Sequence, residues 1–198
     1  PPYIYAYSLT AFFENYGTAF TILKTLFGEG EYNSQIPKFD GMIGAIIGDV
    51  VGSIYEFDNH KSKEFDLFNK ESTFTDDTVM TIAVADFILC DHGNPGQPRL
   101  ISYLHKWYKL FPNESYGVKF SQWIKQFDTI SYVDYKPYNS FGNGAAMRIS
   151  PVADAISGMD SCMENAKWVT EISHNHPEGT KGAQATAALI LLAREEKD

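Results

Sequence analysis

Two adjacent carboxylates and a hydroxyl, in the run Phe74-Thr75-Asp76-Asp77-Thr78, stand immediately before a stretch of helical apolar periodicity. The run reads in two ways. As helix capping, Thr75 is the N-cap and Asp76 and Asp77 fill the first turn, where the helix dipole favours negative charge. As a metal site, adjacent Asp side chains diverge and reach two neighbouring hard cations, with the Thr oxygen as a further ligand. Oxygen-only ligation selects magnesium, manganese or calcium over zinc. Glu56 follows a Gly-rich segment and is either a solvated helix terminus or a carboxylate aimed into a pocket. Asp49 lies inside Gly48-Asp49-Val50-Val51-Gly52, where an unpaired buried carboxylate would be costly. It is expected to hydrogen-bond a helix terminus or to support a metal shell.

The run from Tyr138 through Asn139, Ser140, Phe141, Gly142, Asn143, Gly144, Ala145 and Ala146 to Met147 and Arg148 is the most informative in the chain. Two glycines around Asn143, directly before a helix, suit a loop whose amides turn inward as an anion nest. Phe141 could stack on a base. The plain alternative is an Asn-Gly turn. The order is not that of the dinucleotide fingerprint, and no strand precedes it. Further on, His174 and His176 do not share a helix face, and without a third ligand they do not make a zinc site. A histidine at a helix end commonly completes the dipole. No G-x-S-x-G elbow and no cysteine with a nearby base is present, so nucleophilic hydrolases are unsupported.

The elements that must position these residues are helical. Gly41 to Tyr55 is rich in Gly, Ala, Ile and Val, with Gly44, Gly48 and Gly52 recurring every four positions, which predicts a central, fully buried helix with one slim face. Further helices are expected over Thr78 to Asp91, ending at His92-Gly93-Asn94-Pro95, then over Pro98 to Leu110, Tyr116 to Phe127 and Ala146 to Ile156. Ser161 to Ile172 carries Ser161 and Glu164 in capping-box order, and Pro177 opens a last helix from Glu178 to about Arg194. Few β-branched alternating runs occur, so the class is all-α. Residues 1–40 differ in texture, being aromatic-rich with a turn-rich exit, and read as an extension and linker ahead of a domain over 41–198.

Composition narrows the function. A chain of 198 residues with 44% apolar residues suits one globular domain. Its net charge of -9 repels a phosphate backbone, which argues against non-specific nucleic-acid binding. A small phosphorylated ligand is compatible, since backbone amides and one local Arg can hold a pyrophosphate. Cys90 and Cys162 read as buried thiols in a reducing compartment. With no membrane-length apolar run and no secretory signal pattern, a cytoplasmic location is expected.

In order along the chain, GAIIGDVVGSIYEF, FTDDTVM, YNSFGNGAAMR and SHNHPEGTKGAQA resemble the bacterial ADP-ribosylglycohydrolases, relatives of the dinitrogenase reductase-activating glycohydrolase, from Gly41 to the C-terminus. The resemblance implies a compact orthogonal helical bundle with a site lined by helix ends. It implies that Thr75, Asp76 and Asp77 bind a dinuclear magnesium centre, with manganese as a substitute, and that Glu56 positions the ribose or relays a proton. Ser140, Phe141, Gly142, Asn143 and Gly144 match the loop that holds the pyrophosphate and adenosine side, and His174 matches a substrate-side histidine. The expected reaction is hydrolysis of the N- or O-glycosidic bond between ADP-ribose and a modified protein or small conjugate. The family continues into a second acidic motif, Asp-x-Asp-Thr, so the resemblance implies that this chain is the N-terminal portion of a catalytic domain, either C-terminally truncated or lacking that part of the site. Two other readings stand beside this one: a module that binds ADP-ribose without cutting it, and a helical interaction protein.

Overall fold

The computed structural model describes residues 40–91 and 96–195. The aromatic-rich segment 1–39 and the expected helix stop at His92–Pro95 lie outside the described residues. The described residues are helical and contain no strand, as the sequence predicts: α1 (Asp40–Gly52), α2 (Asp76–Cys90), α3 (Gln97–Leu110), α4 (Val118–Lys125), α5 (Ser150–Ala155), α6 (Met159–Thr170) and α7 (Pro177–Glu195). Short 3-10 turns follow α1 at Ser53–Tyr55 and precede α5 at Asn143–Ala145. Among the described residues, no helix is long and apolar enough to cross a membrane.

The centre of the fold is α2. It is buried at Asp76 and at every residue from Thr78 to Phe87, and α1, α3 and α5 all pack against it. Burial on every side suits a helix that mixes Thr78, Ala83 and Ala85 with Val79, Met80 and Val84, because small residues admit neighbours closely while larger ones fill the gaps between them. Asp86, the polar interruption in that helix, accepts from Trp107 Nε1 at 2.8 Å and Lys106 Nζ at 2.7 Å, so its burial is compensated. α6 and α7 pack together through the buried Cys162, Ala166 and Val169 of one and Ala183, Ala187 and Leu191 of the other.

α1 departs from expectation. Only Met42, Ile46 and Val50 are buried along it, Ile43 is 45% exposed, and a Cβ placed on Gly44, Gly48 or Gly52 would meet nothing within 4 Å. The slim face therefore looks onto open space; buried positions four residues apart mark a one-sided helix. One glycine of α1 does serve close packing. Asp154 of α5 caps the helix by accepting from the amides of Gly41 at 3.0 Å and Met42 at 2.8 Å, and a Cβ on Gly41 would sit 2.7 Å from its Oδ1.

Three smaller expectations are also corrected. α5 begins at Ser150 and not at Ala146, because Pro151 belongs in a first turn and would break a helix already under way. α6 begins at Met159 behind Gly158, whose φ of 86° suits only glycine, so Ser161 lies inside the helix and no capping box forms. Cys90 is exposed, with its thiol 3.3 Å from Asp86 Oδ1, while Cys162 is buried as expected.

Candidate functional site

The N-terminus of α2 is capped twice over. Thr75, in extended conformation, accepts from the Asp77 amide at 3.3 Å. Asp49, reaching across from α1, accepts from the Thr75 amide at 2.8 Å and hydroxyl at 2.6 Å, and from the Thr78 amide at 3.1 Å and hydroxyl at 2.5 Å. Asp49 thus bonds a helix terminus. These two residues meet the amides of Thr75, Asp77 and Thr78, and Asp76 bonds its own backbone, so the Asp77 carboxylate is not needed as a cap. Capping and ligand binding are therefore compatible uses of the same helix start.

Their electrostatics point the same way. Burial, then the neighbouring Asp77 and Glu56, push the Asp76 carboxyl up to about 7. Burial, then Asp49 and Glu56, push Asp77 up to about 6. No cation contributes to either shift. Four carboxylates, Asp49, Glu56, Asp76 and Asp77, repel one another at the end of two helices, an arrangement that a hard divalent cation would relieve.

Two cavities flank this cluster. The first, of about 420 Å³, is lined by Glu56, Asp76 and Asp77 together with Ser140, Gly144 and His174. The second, of about 460 Å³, reaches Asp49, Thr75, Glu56 and Asp77 from the α1 side. Glu56, Asp77, Asn143 and Met147 line both. Every expected site residue except Phe141 lines one of the two cavities; Gly142 and Asn143 line the first with Ser140. Phe141 is 73% exposed, with its ring against His176 at a centroid distance of 5.6 Å.

The loop that faces the cluster is held by contacts that periodicity does not encode. Asn139 adopts a φ of 52° and its amide donates to Asn175 Oδ1 at 2.9 Å, tying the loop to the α6–α7 connection. Gly142 and Gly144 have no left-handed conformation, and a 3-10 turn at Asn143–Ala145, not an α-helix, follows Gly142 directly. Gly144 is required for space instead: a Cβ there would lie 3.0 Å from His174 Nε2. Gly142 is under no such demand, its Cβ meeting only Ser140 Oγ at 3.4 Å.

Sequence reasoning passed over several residues that shape this site. Gly179 in the first turn of α7 lets the Ser140 carbonyl approach to 2.7 Å of where a Cβ would sit. A glycine one turn into a helix was the available signal. Lys119, at the start of α4, and Ser115 line the first cavity. Glu114 next to them feels the Asp49 charge and is pushed up mainly by its burial. Nothing in local periodicity marks these positions. Arg148 is fully buried, and its Nη2 donates to Ser173 Oγ at 2.8 Å.

A family model described as ADP-ribosylglycohydrolase matches residues 38–198. The chain is also similar to ADP-ribosylhydrolase ARH3 of Mus musculus, 27% identical, and of Xenopus tropicalis, 24% identical, each match covering 80% of this chain. The Homo sapiens protein of the same name is 24% identical over the same share. The chain spans about half the length of these curated relatives, 50% of the mouse and human proteins and 51% of the frog protein.

Proposed function

The chain belongs to the ADP-ribosylglycohydrolase family, and from that premise we propose that it binds the ADP-ribose group of a modified protein or small conjugate and takes part in hydrolysing its N- or O-glycosidic bond. One observation carries the reading: Glu56, Asp76 and Asp77 line the same cavity as Ser140, Gly142, Asn143, Gly144 and His174. The cavity is of the size small-molecule sites have.

In this reading the loop side takes the pyrophosphate and adenosine, with Ser140, Gly142, Asn143, Gly144 and His174 supplying short side chains, backbone and one imidazole. Phe141, exposed at the cavity margin, offers its ring to the base. The reacting ribose lies toward Glu56, Asp76 and Asp77. Glu56, exposed to both cavities, takes the proton of the water that attacks the anomeric carbon. The bond to the target breaks with its electron pair on the departing nitrogen or oxygen, and the proton from Glu56 completes that group.

Thr75, Asp76 and Asp77 would hold magnesium or manganese. The fit rests on their donor chemistry, all oxygen, and on carboxylates raised by burial and mutual repulsion, with no cation among the causes of either shift. Thr75 donates its proton to Asp49, which leaves an oxygen lone pair for a cation. When bound, such ions polarise ribose hydroxyls and acidify a water. Among the described residues no three carboxylate, imidazole or thiol groups are grouped as a metal site, so this set would be part of a shell. The second reading is ADP-ribose binding without turnover.

Release of free ADP-ribose from an ADP-ribosylated protein, with and without magnesium, tests the proposal and separates the two readings. Magnesium-dependent release supports hydrolysis. Saturable ADP-ribose binding without release supports the binding module, and absence of both defeats the proposal.

A further inference from the structure

Arg148 is a buried cation with an unusual set of neighbours. It is 0% exposed, and among the described residues no carboxylate pairs with it. Its Nη2 donates to Ser173 Oγ at 2.8 Å, while Nε and Nη1 have no partner among the described residues. Ser173 Oγ in turn lies 2.8 Å from His174 Nδ1, with both side chains buried. Tyr138 stands beside them, its ring centroid 5.6 Å from that of His174.

The direction of the protons follows from chemistry. A guanidinium only donates, so Ser173 Oγ must accept from Arg148; with the Tyr138 hydroxyl, which also bonds Ser173, on its second lone pair, the serine hydrogen points at His174 Nδ1. The fixed positive charge behind Ser173 also favours a lone pair, and not an N–H, on the ring edge that faces it. The ring hydrogen then sits on Nε2. That atom faces the backbone of Gly144, within 3.0 Å of where a Cβ would stand, and has no acceptor among the described residues. His174 lines the first cavity at this point.

We infer that Arg148 and Ser173 are positioning residues that hold His174 as the neutral Nε2–H tautomer, so that it presents one fixed donor to an anionic oxygen of the ligand beside Gly144. The ligand class is a phosphate or pyrophosphate ester, because a buried cation one residue behind the donor stabilises negative charge in front of it. Burial and the Arg148 charge hold the imidazole well below its usual range, at about 3, so it donates without carrying a charge of its own. The ligand part of this inference rests on the ADP-ribose reading above; the tautomer part does not.

The two parts are tested separately on the full 198-residue chain. Long-range 1H–15N correlation spectra of the ligand-free protein should show His174 Nε2 at the protonated position and Nδ1 at the unprotonated one. Ser173→Ala should convert this to a mixture of tautomers with an unchanged circular dichroism spectrum, and Ser173→Thr, which keeps the hydroxyl, should restore the single form. Arg148→Met should act like Ser173→Ala if it folds; the serine pair keeps the test open if it does not. A proton on Nδ1 in the parent chain, or an unaltered tautomer in Ser173→Ala, overturns the positioning role. ADP-ribose, with inorganic pyrophosphate as the second probe, should move the His174 Nε2 resonance, and Ser173→Ala should weaken ADP-ribose by about two- to threefold, in proportion to the Nε2–H form lost to the mixture. Pyrophosphate that moves Nε2 while ADP-ribose does not bind would sink the ADP-ribose reading and leave this one standing. No movement with either probe would overturn the donor role.

Discussion

The hydroxyl of Thr75 donates to Oδ1 of Asp49 at 2.6 Å, linking the start of α2 to the middle of α1. Through this bond and three others to the same carboxylate, one residue both closes a helix terminus and fixes the first oxygen of the acidic cluster.

Asp49→Asn should therefore be more damaging than an ordinary surface change. Its amide nitrogen would face donors that need an acceptor, leaving buried polar groups unmet at a cost of roughly 1–3 kcal/mol. Urea denaturation is expected to show a lower midpoint with an unchanged slope. Stability equal to that of the parent chain would mean the four bonds contribute nothing net.

Asp76→Asn should have the opposite effect on the metal-free chain. Asp76 titrates near 7 when folded and near 3.9 when unfolded. Between those values the folded state holds the extra proton, so this group lowers stability as pH rises from about 4 to about 7 and contributes no further change above that. Asp77, raised to about 6, adds the same sign over a narrower window. Near pH 8 the substitution should raise the unfolding free energy by on the order of 1–3 kcal/mol after allowance for screening, against about 0.3–1 kcal/mol lost from the helix dipole. Thermal unfolding in a chelator at pH 4 and pH 8 checks it; a drop in stability at pH 8 would favour a capping role for this carboxylate.

Gly179→Ala and Gly144→Val should both impair ligand binding, the first by pushing the Ser140 carbonyl away and the second by filling the space beside His174 Nε2. Gly142→Val, whose side chain would meet only Ser140 Oγ, should be milder. Calorimetric titration with ADP-ribose ranks the three, and the opposite ranking would place the ligand nearer Gly142.

Much of this was legible in the sequence. The all-α class, the Thr75 cap and the start of α7 at Pro177 follow from apolar period and capping chemistry, which are local signals. The α1 environment was not, because small residues every four positions look alike whether they face a backbone or open space. The packing of the loop at 139–147 is hidden for a related reason: Gly144 is crowded by His174, thirty positions away, and local spacing does not encode that approach. Arg148 gave no warning at all, since a charged residue beside an apolar stretch ordinarily reads as exposed.

Phe141 supplies a further check on the adenosine side. Its ring is 73% exposed and, among the described aromatic side chains, touches His176 alone, so Phe141→Ala should leave folding unchanged and weaken ADP-ribose by about 1–3 kcal/mol if it stacks on the base. Equal weakening of ribose 5-phosphate, which has no base, would contradict that placement.

The central claim is that a cation at the head of α2 and ADP-ribose on the loop side share one cavity. Titration of ADP-ribose into the chain with and without magnesium, in the parent and in Asp77→Asn, tests it most directly. Binding that tightens with magnesium in the parent and loses that dependence in Asp77→Asn is the predicted result; identical affinity under all four conditions would contradict it.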